Sequence, residues 1–430
     1  MTLLRACGAF LLLGIAFAGT GFSGCASRES VPEVPPPART SFDSARVARG
    51  AQLAALGNCA SCHTAPGGKP YAGGRALKTP FGTVYGTNIT PEPDTGIGRW
   101  SEAAFARAMR EGVDRAGRHL YPAFPYDHFT RLTDEDLGAL YAFVMTRDPV
   151  RAETPSDRIP VPRAAVGVWN SMYLEPGAYR PDASKSAQWN RGAYLVQGLA
   201  HCGACHTPRN TLGAERKAEA FSGGESEGWH APALDAASPS PVPWTAESLY
   251  TYLRTGIARA HAQTAGPMAD VVRNLGQASE EDVRAIAVYV ALLDTRSEQQ
   301  REAQGREALS GASARAATGS ADARSDARGA AIYAGACEDC HDRGRDAEGG
   351  ALPLPLATGL TMPTPRNLIR IIRDGIVPRE GERARWMPGF GGALSDDQLA
   401  DLVTYLRSLT GRPPWQDVAA DVRNVVRGKE

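Results

Sequence analysis

The sequence predicts an all-α protein built from three tandem copies of one small helical unit, and three repeated features predict it. The pentapeptide Cys-x-x-Cys-His stands at Cys59/Cys62/His63, at Cys202/Cys205/His206 and at Cys337/Cys340/His341. Ahead of each copy an Arg-Gly-Ala triplet opens a short segment with an apolar residue three positions past the glycine: Leu53, Leu195 and Ile332. After each copy a hydroxyl residue, Thr133, Ser279 or Ser395, opens a stretch whose apolar residues recur at helical spacing.

Cys-x-x-Cys-His is the attachment signature of c-type haem. Its spacing puts two thiols one helical turn apart, within reach of the two vinyl groups of one porphyrin, and turns the next imidazole onto the iron. Cys-x-x-Cys also serves zinc sites and redox dithiols. Zinc lacks partners here, because no second cysteine pair or His-x3-His run stands near any copy. The expectation is three covalent haem c groups on Cys59, Cys62, Cys202, Cys205, Cys337 and Cys340, with His63, His206 and His341 on the irons. The fold that goes with it is three tandem class I cytochrome c domains with long irregular loops.

Taken in order, the chain starts with Met1-Thr-Leu-Leu-Arg5 and an apolar run from Ala9 to Ala18, which reads as an export signal over residues 1–24 and is too short to span a membrane. Cys25 follows Ser-Gly as the acylated cysteine of a bacterial lipoprotein does, although Phe22 stands where such signals carry Leu. The expectation is a lipid anchor at Cys25 on the periplasmic face, the alternative being plain cleavage nearby. Cys7 leaves with the signal, so every remaining cysteine is assigned and no disulfide is expected. Residues 25–41, Pro-rich from Val31 to Pro37, read as an extended tether. Domain one then covers 42–150, a linker packed on the surface 151–185, and domain two 186–296. Residues 297–324, rich in Ala, Arg, Gly and Ser without hydrophobic periodicity, read as a flexible linker that leaves the third domain the least rigidly attached. Domain three covers 325–412 and a tail 413–430. Along that tail Trp415, Val418, Val422 and Val425 share one helical face, which packs back on domain three or lies on lipid.

Each closing helix begins with a capping-box pattern or a close variant: Thr133 to Asp136, Ser279 to Asp282, Ser395 to Gln398. Ten residues past each cap comes an aromatic, Phe143, Tyr289 or Tyr405. Each is expected to cross over the glycine of its own first helix, Gly50, Gly192 or Gly329, where a missing Cβ lets two helices approach. At 430 residues the chain holds about three domains of ordinary size. Lys plus Arg and Asp plus Glu each number 47, so no basic field exists to hold nucleic acid.

Several blocks carry a family likeness: Ala72-Gly-Gly74, Thr87-Asn-Ile-Thr-Pro91, Gly96-Ile-Gly98, Leu120-Tyr-Pro-Ala-Phe-Pro-Tyr126, Arg191-Gly-Ala-Tyr-Leu195 and His201-Cys-Gly-Ala-Cys-His-Thr-Pro208. Over roughly residues 45–410 the chain resembles the three-haem cytochrome c subunit of membrane-bound bacterial alcohol, gluconate and related dehydrogenases. The resemblance implies an electron-transfer subunit without a substrate pocket, so not itself an enzyme. It takes electrons from a dehydrogenase catalytic subunit of quinoprotein, flavin or molybdenum type and passes them to quinone or a terminal oxidase. The block from Tyr121 to His128 is similar to relatives paired with molybdenum hydroxylases. Two rivals stand beside this reading: a peroxidase-like haem enzyme working at an open first iron, and a free-standing periplasmic electron shuttle.

Cytochrome c irons usually take a second axial ligand, commonly a Met sulfur. Met268, eleven residues before the cap at Ser279, and Met387, eight before Ser395, occupy the loop where the family places that ligand. Met362 is the competitor in domain three. In domain one the family's Met is replaced by Phe124, nine residues before Thr133. His128 is the favoured substitute, which would lower that haem's potential. An open iron, His119, Met109 and Met145 are the alternatives.

Overall fold

The computed structural model describes residues 28–318, 327–342, 351–377 and 386–428. The export signal and Cys25 lie outside the described residues. Among the described residues no helix is long and apolar enough to cross a membrane.

The first unit opens with α1 (Ser44–Leu56), started by the Asp43 carboxylate accepting from the Arg46 amide. Asn58 takes a left-handed turn, φ 53°, and leads into the short helix α2 (Cys59–His63). A hairpin of β1 (Ala76–Thr79) and β2 (Gly82–Tyr85) follows, then α3 (Glu102–Glu111), α4 (Tyr126–Phe129) and the closing helix α5 (Asp134–Met145). The connection carries α6 (Arg163–Tyr173), whose Trp169 ring meets Tyr126 edge-on. The second unit repeats the order with α7 (Ala187–Tyr194), α8 (Gly203–His206), the hairpin β3 (Gly224–Ser226) and β4 (Trp229–Ala231), and α9 (Ala246–Thr255). It continues through the small hairpin β5 (Ile257–Ala258) and β6 (Ala262–Gln263) into α10 (Pro267–Leu275) and α11 (Glu280–Ala291). In this unit the glycine stands ten residues before its cysteine, against nine in the first. The added residue is absorbed where α7 runs into a π-helical turn over Leu195–Leu199, the wider winding that accommodates an insertion without breaking a helix.

After α12 (Glu298–Thr318), the third unit comprises α13 (Ala327–Ala336), α14 (Glu338–His341), α15 (Thr358–Thr361), α16 (Arg366–Asp374) and α17 (Asp396–Ser408). Finally α18 (Val418–Arg427) buries Val418, Val422 and Val425 against α16 and α17, so the tail folds back on the third unit.

First and closing helices cross at the glycines as expected. An ideal Cβ on Gly50, Gly192 or Gly329 would stand 2.6, 2.7 and 2.7 Å from the Cβ of Phe143, Tyr289 and Tyr405, distances no real pair adopts. The caps differ among units. Ser395 and Gln398 form a reciprocal capping box. Thr133 and Ser279 each accept from the amide three residues on, but the Asp136 and Asp282 carboxylates turn instead to arginines. Those arginines are the ones preceding the crossing glycines. Arg191 meets Asp282 at 2.6 Å and Asp136 at 3.7 Å, while Arg49 meets them at 3.4 and 3.3 Å. Tyr194 donates to Asp136 at 2.7 Å. The first two units are thereby joined through equivalent residues, and they share one hydrophobic core that includes Leu53, Leu140, Leu195 and Ile286. The third unit has its own core around Ile369, Leu402 and Val422.

Two connecting segments depart from expectation. Residues 28–37 do not stand free as a tether: Arg28, Val31 and Val34 donate backbone hydrogen bonds to Gly117, Arg115 and Arg99, and Glu33 pairs with Arg115 at 2.8 Å. The flexible linker expected over 297–324 is helical as far as Thr318. Its Ala, Glu, Gln and Arg residues have high intrinsic helix propensity, which an argument from hydrophobic periodicity overlooks. Gln304 anchors α12 to the Pro241 carbonyl at 3.0 Å. The third unit is also tied to the second directly, by Thr358 donating to the His261 carbonyl at 2.7 Å and by the Asn367 amide bracketing the His230 backbone.

Candidate haem sites along one cavity

All three Cys-x-x-Cys-His helices face one continuous cavity of about 3220 Å³. A single small-molecule pocket reaches roughly 1,000 Å³ at most, so this volume suits several large flat ligands. The wall is mostly apolar, as a porphyrin face requires.

Each motif histidine is oriented by a backbone carbonyl. Nδ1 of His63 donates to Thr87 at 2.7 Å, that of His206 to Pro232 at 2.7 Å and that of His341 to Leu352 at 3.4 Å. With Nδ1 holding the proton, Nε2 carries a free lone pair, the arrangement found around ligating histidines. Burial lowers all three imidazoles below their ordinary pKa, which keeps them neutral and able to coordinate. The paired thiols are free, and burial pushes Cys59 and Cys202 up to about 12 and Cys62 and Cys337 to about 11. Such thiols are the opposite of the activated thiolate that a redox dithiol needs. Thiols, imidazoles and cavity therefore fit covalent haem c.

Met268, at the start of α10, and Met387, bridged through its backbone to Ile376, both line the cavity. Met362 reaches the wall too, buried to 2%. Phe124 lines the first unit's share, packed on Phe129 with centroids 5.4 Å apart.

His128 is a correction. Both ring nitrogens are committed on the side away from the cavity, Nδ1 to the Gln197 carbonyl at 2.9 Å and Nε2 to Glu215 Oε1 at 2.6 Å. Facing two acceptors, the ring holds two protons and has no lone pair for iron. Burial opposes that charge, but Glu215 and the neighbouring Asp127 outweigh it and hold His128 above its ordinary value. Gln197 and Glu215 belong to the second unit, so His128 bonds one unit to the other. His119 and Met145 also stay off the cavity wall: His119 packs against Gly167 of α6 and Met145 is in the core of α5.

Three further features escaped the sequence reading. Arg75 reaches from the first unit to Glu227 of the second at 3.1 Å, beside the two attachment helices. His201, left-handed at φ 38°, turns Nε2 toward the Gly57 carbonyl at 3.3 Å, and the Asn274 amide bonds Asn58 and Ser61 from the other direction. These contacts hold the first and second motifs side by side. Nothing in the spacing of the chain signals them, because each joins residues more than 140 positions apart.

Comparison with known proteins agrees with this site. Residues 47–148 match the family model described as cytochrome c, and residues 324–406 match that described as cytochrome c oxidase, cbb3-type, subunit III. A nicotinate dehydrogenase subunit from Pseudomonas putida is 44% identical over 93% of the chain, which spans 33% of that longer protein. The fructose dehydrogenase cytochrome subunit of Gluconobacter japonicus is 36% identical, covering 92% of this chain and 85% of its own length. The alcohol dehydrogenase (quinone) cytochrome c subunit of Gluconacetobacter polyoxogenes is 37% identical over 88% and 84%. With its haem-attachment motifs gathered on one apolar wall and these relatives matched over most of their length, the chain belongs to the family of cytochrome c subunits of bacterial dehydrogenases.

Proposed function

We propose that the protein is a trihaem electron relay that accepts electrons from a dehydrogenase catalytic subunit and delivers them to quinone or a terminal oxidase. The observation that carries this reading is the placement of all three Cys-x-x-Cys-His motifs on one continuous cavity, each histidine with its Nδ1 proton given to a carbonyl. Haem supplies the one-electron redox centre. The protein's own residues then have defined tasks. Each cysteine pair tethers one ring, and His63, His206 and His341 present neutral Nε2 atoms. Met268 and Met387 offer sulfur to the second and third irons, which favours the ferrous state and raises the potential. The apolar wall excludes water, and the Arg75–Glu227 and His128–Glu215 contacts fix the first two sites relative to each other.

The partner follows from the relatives. Their names describe subunits of nicotinate, fructose and quinone-dependent alcohol dehydrogenases. The 44% identity to the nicotinate protein favours a catalytic subunit acting on an N-heterocycle, and the likeness of the block from Tyr121 to His128 favours the molybdenum class. The complex sits on the periplasmic face, anchored through lipidated Cys25.

Two measurements test the reading. Pyridine haemochrome on purified protein is expected to give three haems per chain, retained after denaturation, and affinity capture from native membranes is expected to recover a dehydrogenase. Two haems or fewer from a host competent in haem attachment refutes the three-site relay. Three haems without an accompanying dehydrogenase makes the protein a free shuttle.

A further inference from the structure

The first and second units share a backbone register that shows which residue of one stands where Met268 stands in the other. In the second unit the chain leaves α9 at Gly256, φ 79°, pairs Ile257 with Gln263, and closes with the Thr264 amide donating to the Gly256 carbonyl at 2.8 Å. The first unit does the same. Gly112, φ 62°, follows α3, Val113 pairs with His119, and the Leu120 amide donates to the Gly112 carbonyl at 2.7 Å. Five residues beyond Gln263 comes Met268; five beyond His119 comes Phe124. Both line the cavity, and both are partly buried against the shared core. Phe124 is the positional counterpart of Met268, and a phenyl ring has no lone pair.

The same register disposes of Met109. Arg110 donates to the Leu132 carbonyl at 2.7 Å and Arg254 to that of Leu275 at 3.0 Å, which aligns α3 with α9. Met109 then corresponds to Leu253, and by the glycine at Gly375, φ 75°, to Ile372 of the third unit. Leu253 and Ile372 are apolar wall in units that have another Met, so the Met109 position is a wall position. Of the remaining donors, His128 is doubly bonded, His119 and Met145 lie off the cavity, His201 is held by the backbone carbonyls of Gly57 and of its own residue, and Met172 stands on the connecting helix α6, 54% exposed.

We propose that the first haem site takes a small exogenous ligand: among the described residues His63 would be the one side chain offered to its iron, and the aromatic pocket of Phe124 and Phe129 would admit neutral diatomics, carbon monoxide and nitric oxide, at that one position. This rests on the three-haem reading above, and the haemochrome count tells the two apart.

The test is a carbon monoxide titration of the dithionite-reduced holoprotein, with electron paramagnetic resonance of the oxidised form. One carbon monoxide per three haems and one high-spin ferric centre are expected. Phe124→Met is expected to abolish both while all three haems remain. The Cys59→Ser/Cys62→Ser double variant is expected to lose the same site together with one haem. Three haems that are all low-spin and bind no carbon monoxide overturn the proposal. So does carbon monoxide binding that survives loss of the first haem, since the open iron is then elsewhere. If Phe124→Met fails to fold, Met268→Phe is the second variant: it is expected to raise the stoichiometry to two per three haems, and an unchanged value of one would show that Phe at this position does not open an iron.

Discussion

Replacing Gly329 and Gly335, both in α13, by Ala is expected to shift stability in opposite directions. In a helix interior, Gly→Ala alone stabilises by about 0.5–1 kcal/mol, because alanine loses less backbone entropy on folding. Gly335, one residue from the end of α13, has nothing within 4 Å of an ideal Cβ, so part of that gain is realised. At Gly329 the added methyl would lie 2.7 Å from Tyr405 Cβ and 2.9 Å from the Asp401 carbonyl carbon. The obstacle is main chain of α17, so no rotamer change relieves it and the two helices must separate. Overpacking of this kind costs about 1–3 kcal/mol. Set against the propensity gain, Gly329→Ala is expected to lose up to about 2.5 kcal/mol, leaving the two variants apart by the overpacking cost, about 1–3 kcal/mol. Because the third unit has its own core, hydrogen exchange of the α13 and α17 amides in the holoprotein reads the difference locally. Stabilisation of equal size in both variants would refute the close crossing, and with it the equivalent crossings at Gly50 and Gly192.

The contact of His128 with Glu215 makes the joint between the first two units pH-dependent. The raised folded value of His128 contributes stability that is complete below the ordinary imidazole value of 6.5 and is lost as pH rises through the folded value. The depressed Glu215 contributes stability present above 4.5 and lost as pH falls through its folded value. His128→Gln is therefore expected to cost most between these limits, about 3 kcal/mol for removing one partner of a buried pair, and much less at alkaline pH, measured by melting across the pH range. Cys202→Ser with Cys205→Ser is expected to lower the haemochrome count from three to two, with the lost signal belonging to a Met-ligated haem. Met268→Leu is expected to lower the potential of one haem in a redox titration and leave the third unchanged. Cys25→Ser is expected to release the cytochrome from washed membranes and to remove fatty-acid mass from the N-terminal peptide.

Chemistry or geometry that repeats within a few residues is legible in the amino-acid order alone. The haem-attachment motifs are one helical turn long. The caps at Thr133, Ser279 and Ser395 bond amides three residues on, and the glycine-aromatic crossings recur with fixed offsets in three copies. Repetition turned each local pattern into a prediction about tertiary contact, which is why Gly50 could be matched with Phe143. The role of His128 was not legible in this way. Its loop position near a missing Met suggested an iron ligand, whereas Gln197 and Glu215, brought in by the second unit, take both its nitrogens. The joint of Arg49 and Arg191 with Asp136 and Asp282 was equally hidden, since capping acids look alike whether they close a box or meet an arginine across an interface. The same limit explains α12, where propensity made a helix and contact with the Pro241 carbonyl held it in place. Polar side chains have several acceptable partners, and only the docking of one unit on the next selects among them.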